Sequence, residues 1–456
     1  DDQARLLAGI GRQLEAHYGL PQDIEWAIDQ AGQIAILQTR PLTGVGPRTG
    51  IVYTWDNSNI VESYAGVTTP LTYSFARAAY ETVYRQFCEL MGVSRAEIEA
   101  NASTFKAMIG LVRGRVYYRL DSWYRALTLL PGAKHNKRFM EQMMGVGQKA
   151  ELGGQSRAGA LKLVYLVWKL LAALGSLGRR TRDFRATFDR VYARWHGQNL
   201  DAEPAESLVA AYRELERELL LEWKAPIIND FFAMIFFGVL KKLAPQHHND
   251  LLCGEPGMES TIPTRSLLGM AVVIRRSGGL TALFEDRDDA GVLRGVRDPK
   301  DRAYAEAAPL REWLTTYLDR FGDRCMEELK LETPTLRDDP GFLIATLRNY
   351  LGRPDLTPES MDVREHLVRS AAEADVKVAW LKRPLFGWIL RRTRRHVRER
   401  ENLRFARTRI FGLVRRIFRA LGGHFTRVGL LEAPGDVFYL TVDEAIGLVE
   451  GTTSTV

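Results

Sequence analysis

Cysteine is scarce in this chain, with three in 456 residues. Cys88, Cys253 and Cys325 stand far apart, and none belongs to a Cys-x-x-Cys pair. That spacing excludes a disulfide framework and a cysteine-built zinc site, and it fits a reducing, cytoplasmic setting. Long uninterrupted apolar runs are also lacking. Ala160 to Leu177 is broken by Lys162 and Lys169, and Pro226 to Leu240 spans only fifteen residues with Asp230 inside it. Neither is a clean transmembrane span, so no membrane partner is expected. Both read as buried helices, with exposed hydrophobic arms for a large apolar acceptor as the alternative. There is no internal repeat, no initiator Met and no basic-apolar-small leader. The first residues read as the tail of a domain, so the chain is expected to be a fragment of something longer.

What is present is a globular composition, 46% hydrophobic and 26% charged, in a length that suits two or three domains. The net charge of +7 is uneven. Leu381 to Ala420 holds fourteen Lys and Arg against Glu399 and Glu401, so this segment carries +12 and the remainder −5. It reads as one or two long basic helices with Leu403, Ile410, Leu413, Ile417 and Leu421 as the apolar stripe. One reading is a non-catalytic interaction module that binds nucleic acid or another anionic partner. The other is a solvated face, or one paired with carboxylates. Aromatic residues are not interleaved as single-strand binders use them, which argues against nucleic acid.

The stretch with the most chemistry lies near the start. Ile24, Trp26 and Ile28 alternate with Asp23, Glu25 and Ala27, as in a half-buried strand. Asp29 to Gly32 supplies turn residues, and Ile34 to Leu37 is a second strand that Pro41 ends. The spacing predicts a β-hairpin. With an even loop, cross-strand partners sum to an odd number, so Glu25 and Gln38 share a face; a loop of Ala31-Gly32 alone sets them directly opposite. A carboxylate beside an amide oxygen, with the Arg40 guanidinium two residues on, can hold a divalent cation against phosphate oxygens. An exposed polar face on a surface hairpin accounts for the same pattern.

His17-Tyr-Gly-Leu-Pro-Gln-Asp-Ile-Glu-Trp26 followed by Ile36-Leu-Gln-Thr-Arg-Pro41 resembles the closing hairpin of an ATP-grasp domain. The family is that of phosphoenolpyruvate synthase, pyruvate phosphate dikinase and rifampicin phosphotransferase. The resemblance implies that Glu25 and Gln38 bind the metal (Mg2+) and the ATP phosphates, and that Arg40 binds phosphate. After a Gly/Pro-rich link at Thr43 to Gly50, a short strand from Ile51 to Asp56, an Asn-rich loop and Gly66-Val-Thr-Thr-Pro-Leu-Thr72 resemble the opening of the same family's middle domain. Thr69 is an N-cap, Pro70 a first-turn residue, and Leu71, Phe75, Ala79, Val83, Phe87 and Leu90 a helical stripe. Thr68, Thr69 and free backbone N–H groups at this helix start suit a phosphate or carboxylate, or simply cap the helix.

Gly114-Arg-Val-Tyr-Tyr-Arg-Leu120 reads as a strand and resembles a Gly-Arg-x-Tyr hallmark of the middle domain. Arg115 and Tyr117 there face an acceptor pocket or form a structural pair. Phe321-Gly-Asp-Arg324 through Glu328 resembles a Gly-His-Arg…Glu-Leu pattern, with Asp323 where many relatives carry His. Asp436-Val-Phe-Tyr-Leu440 resembles the motif that closes the domain. Thr261 to Lys300, rich in Gly, Arg and Asp, reads as a mobile connection. His247-His248 reads as a polar loop.

The expected fold is mainly α with small β elements (α+β). Residues 1–48 are the end of an ATP-grasp domain and 51–456 a mostly helical, acceptor-binding middle domain. The resemblance implies an ATP-dependent phosphotransferase of the dikinase type, using ATP and Mg2+. In such an enzyme a phosphorylated His on a swivelling domain carries the phosphoryl group to a small-molecule acceptor, such as pyruvate or a drug hydroxyl. None of the eight histidines sits in the Gly-rich Ser/Thr-His context of that carrier, so the chain by itself is not expected to complete the reaction.

Overall fold

A computed structural model describes residues 2–42, 52–130, 160–324 and 329–453, with backbone alone for 160–163. The link from Thr43 to Gly50, His135, Cys325 and Glu328 lie outside the described residues. The chain divides into two units, Asp1–Thr54 and Trp55–Val456.

The first unit is helix α1 (Asp2–Tyr18) and an antiparallel hairpin of β1 (Gln22–Ile28) and β2 (Ile34–Pro41). Leu7, Ile10 and Leu14 are the half-buried apolar residues of α1, while Leu6 is exposed and His17 points outward. The packing face therefore runs through Leu7, Ile10 and Leu14, which follow the i, i+3, i+7 rule.

The second unit is built on one long helix. Strand β3 is only Trp55–Asp56, followed by α2 (Pro70–Leu90), α3 (Arg95–Ala100) and α4 (Ala102–Lys106). Ser94 and Glu97 form the capping box that starts α3. A second hairpin, β4 (Ile109–Val112) and β5 (Arg115–Arg119), completes a three-stranded sheet in the order β3-β5-β4. Its two-residue turn puts both Arg113 and Gly114 at positive φ, the geometry that matches strand twist. Then come α5 (Leu120–Leu129), α6 (Ala160–His196), α7 (Ala205–Leu215) and α8 (Lys224–Leu243). A second core is formed by α9 (Ile262–Arg276), α10 (Gly278–Glu285), α11 (Asp289–Arg297), α12 (Ala308–Phe321) and α13 (Gly341–Leu351). Helices α14 (Pro358–Asp375), α15 (Arg383–Arg427) and α16 (Val442–Glu450) end the chain.

Helix α15 is the spine. Ile410, Leu413, Val414, Ile417, Phe418 and Leu421 are completely buried in the main core, against α2, α7 and the turn at Pro434–Tyr439. Further up, Leu403 joins a cluster with Phe184 and Ala225, and Asn229 on α8 locks to α15 by two bonds. Asn229 Nδ2 donates to the His396 carbonyl at 3.0 Å, and its Oδ1 lies 3.0 Å from His396 Nδ1. Burial, with Arg395 and Arg392 nearby, pushes the His396 imidazole down to about 4, so this buried ring stays neutral at physiological pH.

Two expectations change. Thr261 to Lys300 is no mobile connection but three packed helices. Ser277 and Asp288 cap α10 and α11, and Leu267, Ile274, Leu283, Phe284 and Val296 supply their core faces. The Gly and Asp residues punctuate helices rather than loosen them. The apolar start of α6 is not wholly buried: Leu166, Ala173 and Leu177 pack inward, while Val164, Trp168 and Leu171 are exposed. The stretch 205–243 is long and apolar enough to cross a membrane, yet nearly half of that window is buried within the fold, as in a core helix.

Asp323 ties α6 to α12 and the segment after it. It is buried, Tyr192 Oη donates to its Oδ2 at 2.5 Å, His196 Nδ1 lies 3.0 Å from the same oxygen, and Arg337 Nε donates to Oδ1 at 3.3 Å. Burial alone raises this carboxyl, but the bonds from His196 and Tyr192 and the charges of Arg416 and Arg337 outweigh it and hold the group at about 2. Its unfolded value is about 3.9. The ionised group thus adds roughly 2–3 kcal/mol of stability above about pH 4, lost as pH falls through its folded value. Urea unfolding of the wild type and Asp323→Asn is expected to show a stability difference that shrinks steadily between pH 4 and pH 2. A difference independent of pH would show that the carboxylate charge contributes nothing.

Candidate functional site

The hairpin loop is five residues, Asp29 to Gln33, not two. Asp29 Oδ1 accepts from the backbone N–H of Ala31 (2.9 Å) and of Gln33 (2.8 Å), and Gly32 sits at positive φ. Such an odd loop pairs Ile28 with Ile34 and Trp26 with Ile36, which by itself puts Glu25 and Gln38 out of phase. A β-bulge at Leu37 inserts one residue and restores the register. Glu25 then lies directly opposite Gln38, and Asp23 opposite Arg40. The pairing is the one expected, but an odd loop and a bulge produce it, not an even loop. Burial follows the bulge: Ile34, Ile36 and Thr39 are half-buried, a step of two and then of three, while Leu37 is left exposed.

Glu25, Gln38, Asp23 and Arg40 therefore share one face. Arg40 Nε donates to Asp23 Oδ2 and Nη2 to Glu25 Oε1, each at 3.0 Å. Both pairs are half-exposed, so they orient the guanidinium more than they stabilise the unit. Among the described residues no group of three His, Cys, Asp or Glu has metal-holding geometry. Glu25 and Gln38 offer two hard oxygen ligands, the number Mg2+ takes when phosphate oxygens and water complete its shell.

In the second unit, α2, α8 and α15 enclose a cavity of about 220 Å³. Tyr64, Tyr80, Tyr84 and Trp223 form its aromatic wall, and Asp230 and Arg407 are its charged groups. Burial pushes all three tyrosine hydroxyls above their ordinary value, so they remain protonated. Asp230 keeps 43% of its side chain exposed, and Arg400 Nε lies 3.9 Å away. The atoms packed round it nonetheless push its carboxyl up to about 6, against the pull of Arg400, Arg404 and Arg407. A smaller cavity of about 80 Å³, lined by Arg324, Arg404 and Thr408, shares Arg407 with the first.

Thr68, Thr69, Arg115 and Tyr117 do not line this cavity. The start of α2 does receive a carboxylate, and it belongs to the chain itself. Thr69 N and Oγ1 donate to Glu332 at 3.2 and 3.1 Å, and Thr72 Oγ1 donates to it at 2.5 Å. Thr68 is buried, and its N–H donates to Gly114 O at 2.7 Å. Arg115 and Tyr117 project from the face of β5 opposite buried Val116 and Tyr118; Tyr117 pairs with Gly110, over which the Trp55 ring lies so closely that a Cβ would sit 2.3 Å from it.

The arginines of α15 divide by level. Arg394 pairs with Glu373 (2.7 Å), Arg398 with Glu255 (3.3 Å), and Arg415 and Arg419 with Asp338 (3.1 and 2.5 Å). Arg409 lies over the Tyr192 ring at 4.0 Å. Those between, Arg400, Arg404 and Arg407, gather round Asp230.

Residues 223–401 match the model of the rifampicin phosphotransferase fourth domain, and residues 1–52 that of the pyruvate phosphate dikinase AMP/ATP-binding domain. A rifampicin phosphotransferase of a Streptomyces species is 25% identical over 97% of this chain and 50% of its own length. The chain is related to the rifampicin phosphotransferases and phosphoenolpyruvate synthases. The prodigiosin synthesizing transferase PigC of Serratia marcescens is 23% identical over 77% of this chain and 42% of its own length. A probable phosphoenolpyruvate synthase of Methanothermobacter thermautotrophicus is 47% identical over 11% of this chain, 7% of its own. The chain thus spans about half the length of the longer-matching curated relatives.

The match to the fourth-domain model begins at Trp223 and takes in α8 and the first part of α15, and with them Trp223 and Asp230 of the cavity and Arg400 beside Asp230. Sequence reasoning missed this group. Its signals were a carboxylate inside an apolar run, at Asp230, and tyrosines at 80 and 84, one helical turn apart on α2.

If Leu37 is the extra residue of the bulge, deleting it straightens the ladder while Gln38 stays opposite Glu25 and Arg40 opposite Asp23. Arg40 then keeps Asp23 and Glu25. In NMR spectra of the deletion variant, contacts from Arg40 Hδ to Asp23 Hβ are expected to persist together with strand pairing at Ile28 and Ile34. Lost contacts would show that Leu37 is a paired residue and that its removal shifts the strand by one.

Proposed function

We propose that the longer protein to which this chain corresponds is an ATP-dependent phosphotransferase of the dikinase type. Its first unit is the end of an ATP-grasp domain, where Glu25 and Gln38 hold Mg2+ against ATP phosphates and Arg40 binds phosphate. The metal supplies charge neutralisation for phosphoryl transfer. The second unit binds a small-molecule acceptor in the aromatic cavity, and a phosphorylated His on a swivelling domain is the partner that delivers the phosphoryl group. Arg400, Arg404 and Arg407 give that cavity the positive charge that such a transfer needs. The reaction is placed in the cytoplasm, where thiols stay reduced.

The observation that carries this reading is the face shared by Glu25, Gln38 and Arg40, in the part of the chain that matches an AMP/ATP-binding domain. The arginines of α15 mostly meet carboxylates, backbone or rings of the same chain, which supports the scaffold reading over nucleic-acid binding.

In the longer protein, Glu25→Gln and Gln38→Ala are expected to lower Mg2+-ATP-dependent protein phosphorylation at least a hundredfold, equivalent to about 2.7 kcal/mol. Labelling from γ- or β-labelled ATP, with circular dichroism as the check on folding, measures it. Unchanged labelling in both folded variants would remove the hairpin from the nucleotide site.

A further inference from the structure

We propose that the cavity between α2, α8 and α15 takes a planar aromatic acceptor bearing a hydroxyl, and that Asp230 receives the proton of that hydroxyl. The inference rests on the cavity being the acceptor site, as proposed above.

The walls define the shape. Tyr64, Tyr80, Tyr84 and Trp223 present ring faces and edges, while Phe411 and Ile410 lie deeper. A dry cavity of about 150 Å³ holds one benzene ring. The 220 Å³ here admits a substituted or bicyclic ring, and the aromatic wall favours stacking on a planar one. The polar groups define the chemistry. Among the described residues Asp230 is the one carboxylate on the cavity's lining, and its side chain is partly exposed. Its backbone is fixed by the neighbouring residue, Asn229, which is locked to His396. Arg407 borders both this cavity and the smaller one that Arg324 and Arg404 line, so guanidinium groups lie beside the ring site.

The acceptor oxygen attacks the phosphorus of a phosphorylated imidazole, and an O–P bond forms as the P–N bond breaks. The electron pair of that bond returns to the imidazole nitrogen. The hydroxyl proton passes to Asp230, which becomes a neutral acid and loses the proton to water. A carboxyl held at about 6 is a stronger base than an ordinary one and is still ionised at neutral pH. The charged groups facing it are Arg400, Arg404, Arg407 and Glu401 on α15; the titratable groups elsewhere on the wall are Tyr64 and, from α2, Tyr80 and Tyr84.

Equilibrium dialysis of this chain against 2-naphthol and its methyl ether tests the proposal. Wild-type affinity for 2-naphthol is expected to fall about tenfold between pH 7 and pH 5 as Asp230 takes up a proton. Asp230→Asn is expected to bind it more weakly at pH 7, with no pH dependence. The methyl ether, which has no proton to give, is expected to bind both proteins alike at either pH. Equal, pH-independent binding of the two ligands to the wild type would overturn the role of Asp230 while leaving the cavity as an aromatic site, and this holds even if Asp230→Asn does not fold. Ala79→Phe fills the cavity from α2 and is expected to abolish binding. Undiminished binding in folded Ala79→Phe, or no binding of either ligand to the wild type, would overturn the cavity as acceptor site and the inference with it.

Discussion

The second unit depends on burying one face of α15. Six of its apolar residues between Ile410 and Leu421 lose all contact with water. Each such burial stabilises by about 1.5–3 kcal/mol, whereas the helix's ion pairs, many of them partly exposed, offer less each. Helices α2, α7 and α8 find their places by packing against that face. The arginines come with it. A helix whose apolar side is fixed has no freedom in where its basic side points, so Arg400, Arg404 and Arg407 are presented to Asp230 by packing rather than by charge attraction.

The two candidate sites divide the chemistry along lines their residues dictate. The hairpin face carries small hard ligands on an open surface, suited to a hydrated cation and phosphates. The cavity offers rings, one raised carboxylate and guanidinium groups, suited to an organic ligand that must lose a proton. Neither set contains what the other needs. Buried polar groups of the second unit also bridge elements far apart in sequence: Asn229 meets His396, and Asp323 meets Tyr192.

Much of this was legible in the residues. The stripe from Leu403 to Leu421, the capping boxes at Ser94 and Thr441, and the helices that begin at Pro70 and Pro358 all follow local rules, and local rules are what a sequence shows. The pairing of Glu25 with Gln38 was also reached, although the bulge at Leu37 that produces it was not. Bulges have no strong composition signal, and only the step from Ile36 to Thr39 hinted at one. Residues 261–300 misled because Gly and Asp serve both as loop formers and as helix ends, and only the spacing of Leu267, Ile274, Leu283 and Val296 separates the two. The cavity was illegible for a different reason. Tyr64, Tyr80, Asp230 and Arg407 lie on separate elements, and no local pattern announces that four distant segments meet.

Glu332 occupies the start of α2, where its carboxylate takes bonds from Thr69 and Thr72 while Lys330 reaches the Ala65 carbonyl. A helix end of this kind attracts any anion, but here the anion is tethered. Tethering gives it an effective concentration on the order of millimolar or more. A dissolved anion competes with it only on those terms, while the segment from Leu329 to Arg337 stays clipped to α2 as if by a latch. The same valency that reads in the sequence as an open invitation to ligands is, in the folded chain, already spoken for.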